Sequence, residues 1–209
     1  MASSFVQQIP CIVKLLQTIK PTTILDIGKG FGKYGFLMHE YLGIDNTKKI
    51  DNTKTLAELS SIKIDAVEAD TDLMLPHLPH LYNKVYFDDV TKIYKALPVY
   101  DLILMVDIIE HLEKQKAEEM IKHFLSKNIT LLIATPIDFF NQDLYESEFE
   151  HHLSHFTIKD FKQFGFVNYQ VFDGGGVYLL AKNKIDTGNF GNTLYNKLKR
   201  IRRAIINEM

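Results

Sequence analysis

Four short groups hold the residues best suited to chemistry. The first is Asp26-Ile27-Gly28-Lys29-Gly30-Phe31-Gly32-Lys33-Tyr34-Gly35, with glycine at 28, 30 and 32. Glycine has no Cβ, so the backbone can come close to a ligand there. A helix starting just after it would offer unpaired N–H groups to an anionic ligand group. The spacing is GxGxG, one residue short of GxGxxG, and a tight strand-to-helix turn explains it as well. The second group is Glu68 and Asp89, at the expected carboxyl ends of two strands. An acid in the first position can accept two hydrogen bonds from ribose hydroxyls. Asp89, with Asp88 beside it, can accept from an adenine amino group or cap a helix. The third group is Asp107, Glu110 and His111 on one turn, and the fourth is His151, His152 and His155. Histidine can take a proton from an oxygen or nitrogen nucleophile. His152 and His155, then His111, are the candidates for that role. Asp107, Glu110, His111 and His155 together have the composition of a divalent-cation site. Spacing alone assigns none of them as a metal ligand. His39, His77, His80 and His123 fall on expected helices and read as structural or solvent-facing.

Alternating elements must position these groups. Phe5, Val6, Ile9, Ile12, Val13, Leu16 and Ile19 recur at helical spacing, so residues 1–20 read as an N-terminal helix, bent near Pro10 and stopped before Pro21. TTILDIG, IKIDAVEA, KVYF, YDLILMVD and ITLLIAT read as strands. Residues 70–80 and 113–126 read as helices, the first interrupted by proline. Apolar strands without polar alternation, separated by helices, indicate a parallel sheet covered on both faces. FGFVNYQVF and VYLLAK flank Gly174, Gly175 and Gly176, which implies a closing antiparallel hairpin. The expected fold is thus a doubly wound, mostly parallel α/β sheet of seven strands. Asp26 and Glu68 stand 42 residues apart, against the usual ~20. A surface excursion at 43–62, carrying the duplicated IDNTK, accounts for the excess.

The chain has 209 residues, 46% hydrophobic and 24% charged, as expected of one folded domain. No run approaches ~18 apolar residues, and the N-terminus lacks a basic head before an apolar block. The single Cys11 excludes a disulfide framework and suits a cytoplasmic setting. The net charge of -2 conceals five basic residues and one acid in 189–209. That tail shows an amphipathic pattern in Leu194, Leu198, Ile201 and Ile205. It reads as a C-terminal helix on its own domain, a homodimer contact or a peripheral membrane contact. The remainder, which includes the expected core domain at 21–188, is net acidic and does not suggest a DNA-binding surface.

ILDIGKGFGKYG, AVEAD, FDDV, YDLILMVDIIEHL, LLIATP, and EHHLSHFT followed by FKQFGF occur in order over about residues 22–182. Together they resemble class I S-adenosylmethionine-dependent methyltransferases, most closely a bacterial branch with GFGKWGF-like loops and often unassigned substrates. Lys29 departs from the small residue or Cys usual there, with a side chain that can point outward; Phe156 stands where that branch often has Trp. The resemblance implies that Asp26 and the carbonyls around Gly28 hold the methionine amino group. It further implies that Gly30 and Gly32 cradle the cofactor, Glu68 binds its ribose and Asp89 its adenine. Asp107 would lie near the methionine moiety or the substrate, and Lys33 could reach the methionine carboxylate. The implied acceptor is a small molecule, a glycan or a lipid-linked group. The turn ending in Glu110-His111 also resembles metal-dependent small-RNA 2′-O-methyltransferases, although Glu-His appears in metal-free relatives too. A non-catalytic cofactor-binding protein and an NAD-linked dehydrogenase are the remaining alternatives.

Overall fold

Runs of apolar and β-branched residues build a central seven-stranded sheet. The computed structural model describes residues 5–138, 151–188 and 190. The strands are β1 (Thr23–Ile27), β2 (Lys63–Glu68), β3 (Lys84–Phe87), β4 (Leu102–Val106), β5 (Thr130–Pro136), β6 (Phe166–Val171) and β7 (Gly175–Ala181). Their order is β3-β2-β1-β4-β5-β7-β6. The first five are mutually parallel, with Ile27 beside Val67 and Met105. β7 inserts antiparallel between β5 and β6. The expected mostly parallel sheet with a closing hairpin is therefore what the chain forms.

Alternate strand residues face opposite layers, which is why the strands read as continuously apolar. Ile24, Ile64, Leu104 and Leu132 share one core cluster with Ile12, Leu15 and Leu16 of helix α1 (Gln8–Ile19). Leu25, Ile103, Met105 and Ile133 meet helix α5 (Lys114–Ser126) through Ala117, Met120, Ile121 and Phe124. Full burial of each such Leu, Ile or Phe contributes ~1.5–3 kcal/mol. Shorter helices complete the layers: α2 (Lys33–Met38), α3 (Leu56–Leu59), α4 (Val90–Ile93) and α6 (Ile158–Lys162).

Two local expectations change. Pro10 does not bend α1, because it is the third residue of the helix, where the missing N–H has no intrahelical acceptor to lose. Residues 70–80 do not form a helix. They make two single turns, Thr71–Leu73 and Leu78–His80, because Pro76 and Pro79 withhold the donors a continuous helix needs. The 43–62 excursion contains α3, closed by a capping box between Thr55 and Glu58. Among the described residues, no helix is long and apolar enough to cross a membrane. The 189–209 tail lies outside the described residues except Phe190, which is buried.

Sheet topology positions the site. The strand order reverses between β1 and β4, and ligands of open α/β sheets sit at the carboxyl ends beside such a reversal. Glu68 ends its strand at that edge, and Gly28, Asp88 and Asp107 each lie one residue beyond a strand end.

Candidate functional site

A cavity of about 470 Å³ opens at this edge, lined among others by Gly28, Gly30, Glu68, Asp89, Asp107, Glu110, His111 and His152. The glycine turn forms its floor. Gly28, Gly30 and Gly32 have φ of 73°, 51° and 84°. The Gly28 N–H donates to the Val67 carbonyl at 2.9 Å, pinning the turn to β2.

Glu68 ends β2 beside this turn and is buried. Its Oε2 accepts from the Gly30 N–H at 3.1 Å, and its Oε1 from the Asp70 N–H at 3.2 Å. A carboxylate has about four acceptor positions, so two remain for a ligand diol. Lys29 does not point outward. Its side chain is buried, with Nζ donating to the Leu73 carbonyl at 3.0 Å and lying 3.9 Å from Glu68 Oε2. Burial pushes the Lys29 pKa down, opposed by the charges of Glu68 and Asp26. The ammonium thus ties the glycine turn to the 70–75 loop.

Asp26 lies beneath the floor and is not among the lining residues. Its Oδ2 accepts a 2.6 Å hydrogen bond from Tyr82 Oη. Burial raises its pKa to about 6, with the Tyr82 bond opposing the shift. Gly35 makes room for that tyrosine, since a Cβ there would stand 2.7 Å from Tyr82 Oη. Gly32 also lies outside the lining set and instead packs under Leu81. Asp89 lines the cavity, yet its Oδ1 caps α4 by accepting from the Thr91 N–H at 2.8 Å and hydroxyl at 2.7 Å. The Lys92 ammonium is 3.8 Å from its Oδ2.

The opposite wall comes from the turn after β4. Asp107 has φ 52° and accepts from Gln8 Nε2 at 3.3 Å. Burial raises its pKa to about 6, while the Gln8 hydrogen bond and the Lys33 charge work against the shift. Glu110 is buried and accepts from the Thr135 hydroxyl at 3.0 Å. Its Oε1 has no hydrogen-bond partner among the described residues. Burial, then the Asp107 charge, raises its pKa to about 8.

The Glu110 carbonyl receives the N–H groups of Leu153 and Ser154 at 2.8 and 2.9 Å, which docks the histidine segment onto this turn. His111 Nδ1 meets the His151 carbonyl at 3.1 Å. A carbonyl only accepts, so Nδ1 carries a proton. The His111 and His152 rings stand edge to face, 5.0 Å between centroids. One ligand atom from each of Glu110, His111 and His152 lies within 4.8 Å of the others. Of the set read from the sequence, Glu110 and His111 meet in this cluster together with His152, while Asp107 and His155 are not part of it. His155 is not among the cavity residues; its Nε2 is bonded to the Ile137 carbonyl at 3.0 Å, bracing the end of β5. The aromatic residues Phe139, Phe140, Tyr145 and Phe149, whose places in the sequence beside the histidine segment suggest a pocket wall, lie outside the described residues. Sequence reasoning missed Gln8 and Tyr82, which carry no motif.

No protein-family model matches the chain, and no curated protein matches it. Solved structures do. An O-methyltransferase family protein from Burkholderia thailandensis superposes with TM-score 0.57 at 13% identity, over 86% of this chain and 57% of that one. This chain therefore spans little more than half the length of that protein. An S-adenosylmethionine-dependent methyltransferase from Archaeoglobus fulgidus gives 0.55 at 18%, over 79% and 70%. The small RNA methyltransferase HEN1 gives 0.57 at 16%, over 89% and 27%. At these identities the likeness establishes the fold, which is that of the class I methyltransferases.

Proposed function

We propose that this protein is an S-adenosylmethionine-dependent methyltransferase acting on a small-molecule, glycan or lipid-linked acceptor. The observation that carries the proposal is Glu68. Its carboxylate, half satisfied by Gly30 and Asp70, faces a cavity over a glycine turn on a methyltransferase fold. Electrostatics favour the same ligand. The cavity is lined by seven carboxylic acids against three lysines; even with Glu110 protonated the acids outnumber the lysines two to one, which suits a sulfonium cation and repels the diphosphate of NAD.

The bound cofactor supplies an electrophilic methyl group; the protein supplies position and exclusion of water. Glu68 accepts from the ribose hydroxyls. The Asp107 carboxylate takes the methionyl ammonium, and Asp26 supports the glycine turn from below through Tyr82. His111 Nε2 or the adjacent His152 accepts the proton of an oxygen or nitrogen acceptor as it is methylated.

Titration calorimetry with S-adenosylmethionine, S-adenosylhomocysteine and NAD tests the reading. Both adenosyl ligands are expected to bind, with NAD much weaker. Glu68→Ala is expected to weaken them by about 1–3 kcal/mol, the scale of lost hydrogen bonds to a charged group. A preference for NAD, or unchanged affinity in the variant, would sink the assignment. Binding without turnover on any acceptor would favour the non-catalytic alternative.

One observation favours a second reading, a cation-dependent methyltransferase of an RNA 2′-hydroxyl. Glu110, His111 and His152 have ligand atoms close enough to share one ion, and Glu110 Oε1 lacks a partner among the described residues. Two imidazoles and a carboxylate suit a first-row divalent ion, and one of the fold's solved relatives is a small RNA methyltransferase. Loss of turnover on chelation, restored by Mn²⁺, is the expected result; full activity after exhaustive chelation removes this reading.

A further inference from the structure

We infer that Gln8 is a positioning residue for the cofactor site, holding the Asp107 carboxylate toward the methionyl ammonium from a seat left open by Gly175. This rests on the proposed cofactor reading.

Gln8 opens α1 and is fully buried. Its Nε2 donates to Asp107 Oδ1 at 3.3 Å, across 99 residues of sequence. A carboxylate only accepts, so the amide nitrogen is the atom that must face it. The Oε1 of the same amide is buried with no hydrogen-bond partner among the described residues. An unsatisfied buried carbonyl opposes folding, and an apolar side chain of similar length would avoid that cost. What the amide does provide is a donor aimed at Asp107.

Asp107 is a carboxylate whose aim is set from outside. Its backbone sits at φ 52°, an uncommon region for a residue with a Cβ. Its N–H is tied to the Ala134 carbonyl at 2.9 Å. The next residue, Ile108, packs directly over Gly28, so this turn abuts the glycine turn. A ligand ammonium over that turn is the natural counterpart of the Asp107 carboxylate.

The seat of Gln8 is made by the closing hairpin. A Cβ on Gly175 would stand 2.9 Å from Gln8 Nε2 and 3.3 Å from the Phe5 ring. Gly175 is locked opposite Pro136 in the sheet, so it cannot retreat. Phe5, one turn before Gln8, lines the same cavity. The hairpin, the N-terminal helix and the β4 turn thus converge on one carboxylate.

The test uses S-adenosylhomocysteine as the calorimetric probe. Gln8→Met keeps the side-chain length and removes the donor; it is expected to weaken binding about tenfold. Gly175→Ala leaves both polar groups in place and crowds the amide; it is expected to weaken binding in the same direction. Asp107→Gly suits the backbone and removes the carboxylate. In that background Gln8→Met and Gly175→Ala are each expected to change affinity less than twofold, since their effect acts through Asp107. Equal losses in both backgrounds would show that Gln8 acts through general folding, and would overturn the inference. So would unchanged binding by Gln8→Met, or by Gly175→Ala where the methionine variant does not fold. Wild-type protein that binds neither adenosyl ligand would instead overturn the cofactor reading beneath it.

Discussion

Gly28→Ala is expected to lose about a hundredfold in cofactor affinity while still folding, roughly 2.7 kcal/mol of binding. Two separate effects combine. Gly28 holds φ 73°, which costs an L-residue on the order of 1 kcal/mol. The added Cβ would lie 1.9 Å from Ile108 Cδ1 and 2.4 Å from Ile108 Cγ1. The backbone cannot yield, because the Gly28 N–H is held by Val67. Ile108 must therefore turn, and it lines the cavity. A β-branched chain has few rotamers to choose from, so its displacement is expected to reach the space the cofactor needs. Ile108→Ala in the same molecule should restore most of the affinity and leave only the backbone term. Calorimetry with S-adenosylhomocysteine on the single and double variants decides it. A single variant that binds normally, or a double variant that recovers nothing, would refute the steric account.

The framework that places Gly28 could be read directly from the sequence. A run such as Leu102-Ile103-Leu104-Met105-Val106 buries every side chain, and its shortness marks it as a strand covered on both faces rather than a buried helix. The glycines at 174–176 announced the hairpin for an equally local reason. Prediction failed where the decisive partner is remote. Tyr82 reaches Asp26 across 56 residues and Gln8 reaches Asp107 across 99; neither pairing leaves a periodic trace. Lys29 reads as a solvent lysine until the Leu73 carbonyl is seen waiting for its ammonium. The histidine segment shows how a small geometric rule sorts equivalent candidates. From 151 to 156, exposure alternates much as in an extended chain, so neighbours three apart face opposite ways. His152 falls on the side of Ser154 and Phe156, toward the Glu110 turn, and His155 falls on the other.

Glu110→Gln is expected to make the metal-free protein more stable at pH 8 by about 1–3 kcal/mol, and no more stable, or less, at pH 5. The sign follows from a carboxyl whose folded pKa is raised to about 8 by burial and the Asp107 charge. Below about pH 4.5 the group is protonated in folded and unfolded chains alike, and it imposes no ionisation penalty. As pH rises from there the unfolded chain releases its proton while the folded one retains it. Stability is therefore lost progressively until about pH 8, by an amount approaching 5 kcal/mol as an upper bound. Glutamine does not titrate, so this slope should vanish. Its Oε1 can keep the Thr135 hydrogen bond, but its buried NH₂ would take the place of the unpaired oxygen at a cost of about 1–3 kcal/mol. That cost lowers the gain at pH 8 and leaves a deficit at pH 5. Urea unfolding at the two pH values, in the presence of a chelator, measures both; parallel curves for wild type and variant would disprove the assignment. Adding Mn²⁺ turns the same pair of proteins into a test of the cation reading. A cation at Glu110, His111 and His152 would displace the Glu110 proton and stabilise the folded state by linkage. Wild-type protein should then unfold at a higher urea concentration and gain its largest increment at high pH, whereas the glutamine variant should not respond. If neither protein responds, the cation reading falls and the metal-free transferase reading stands alone.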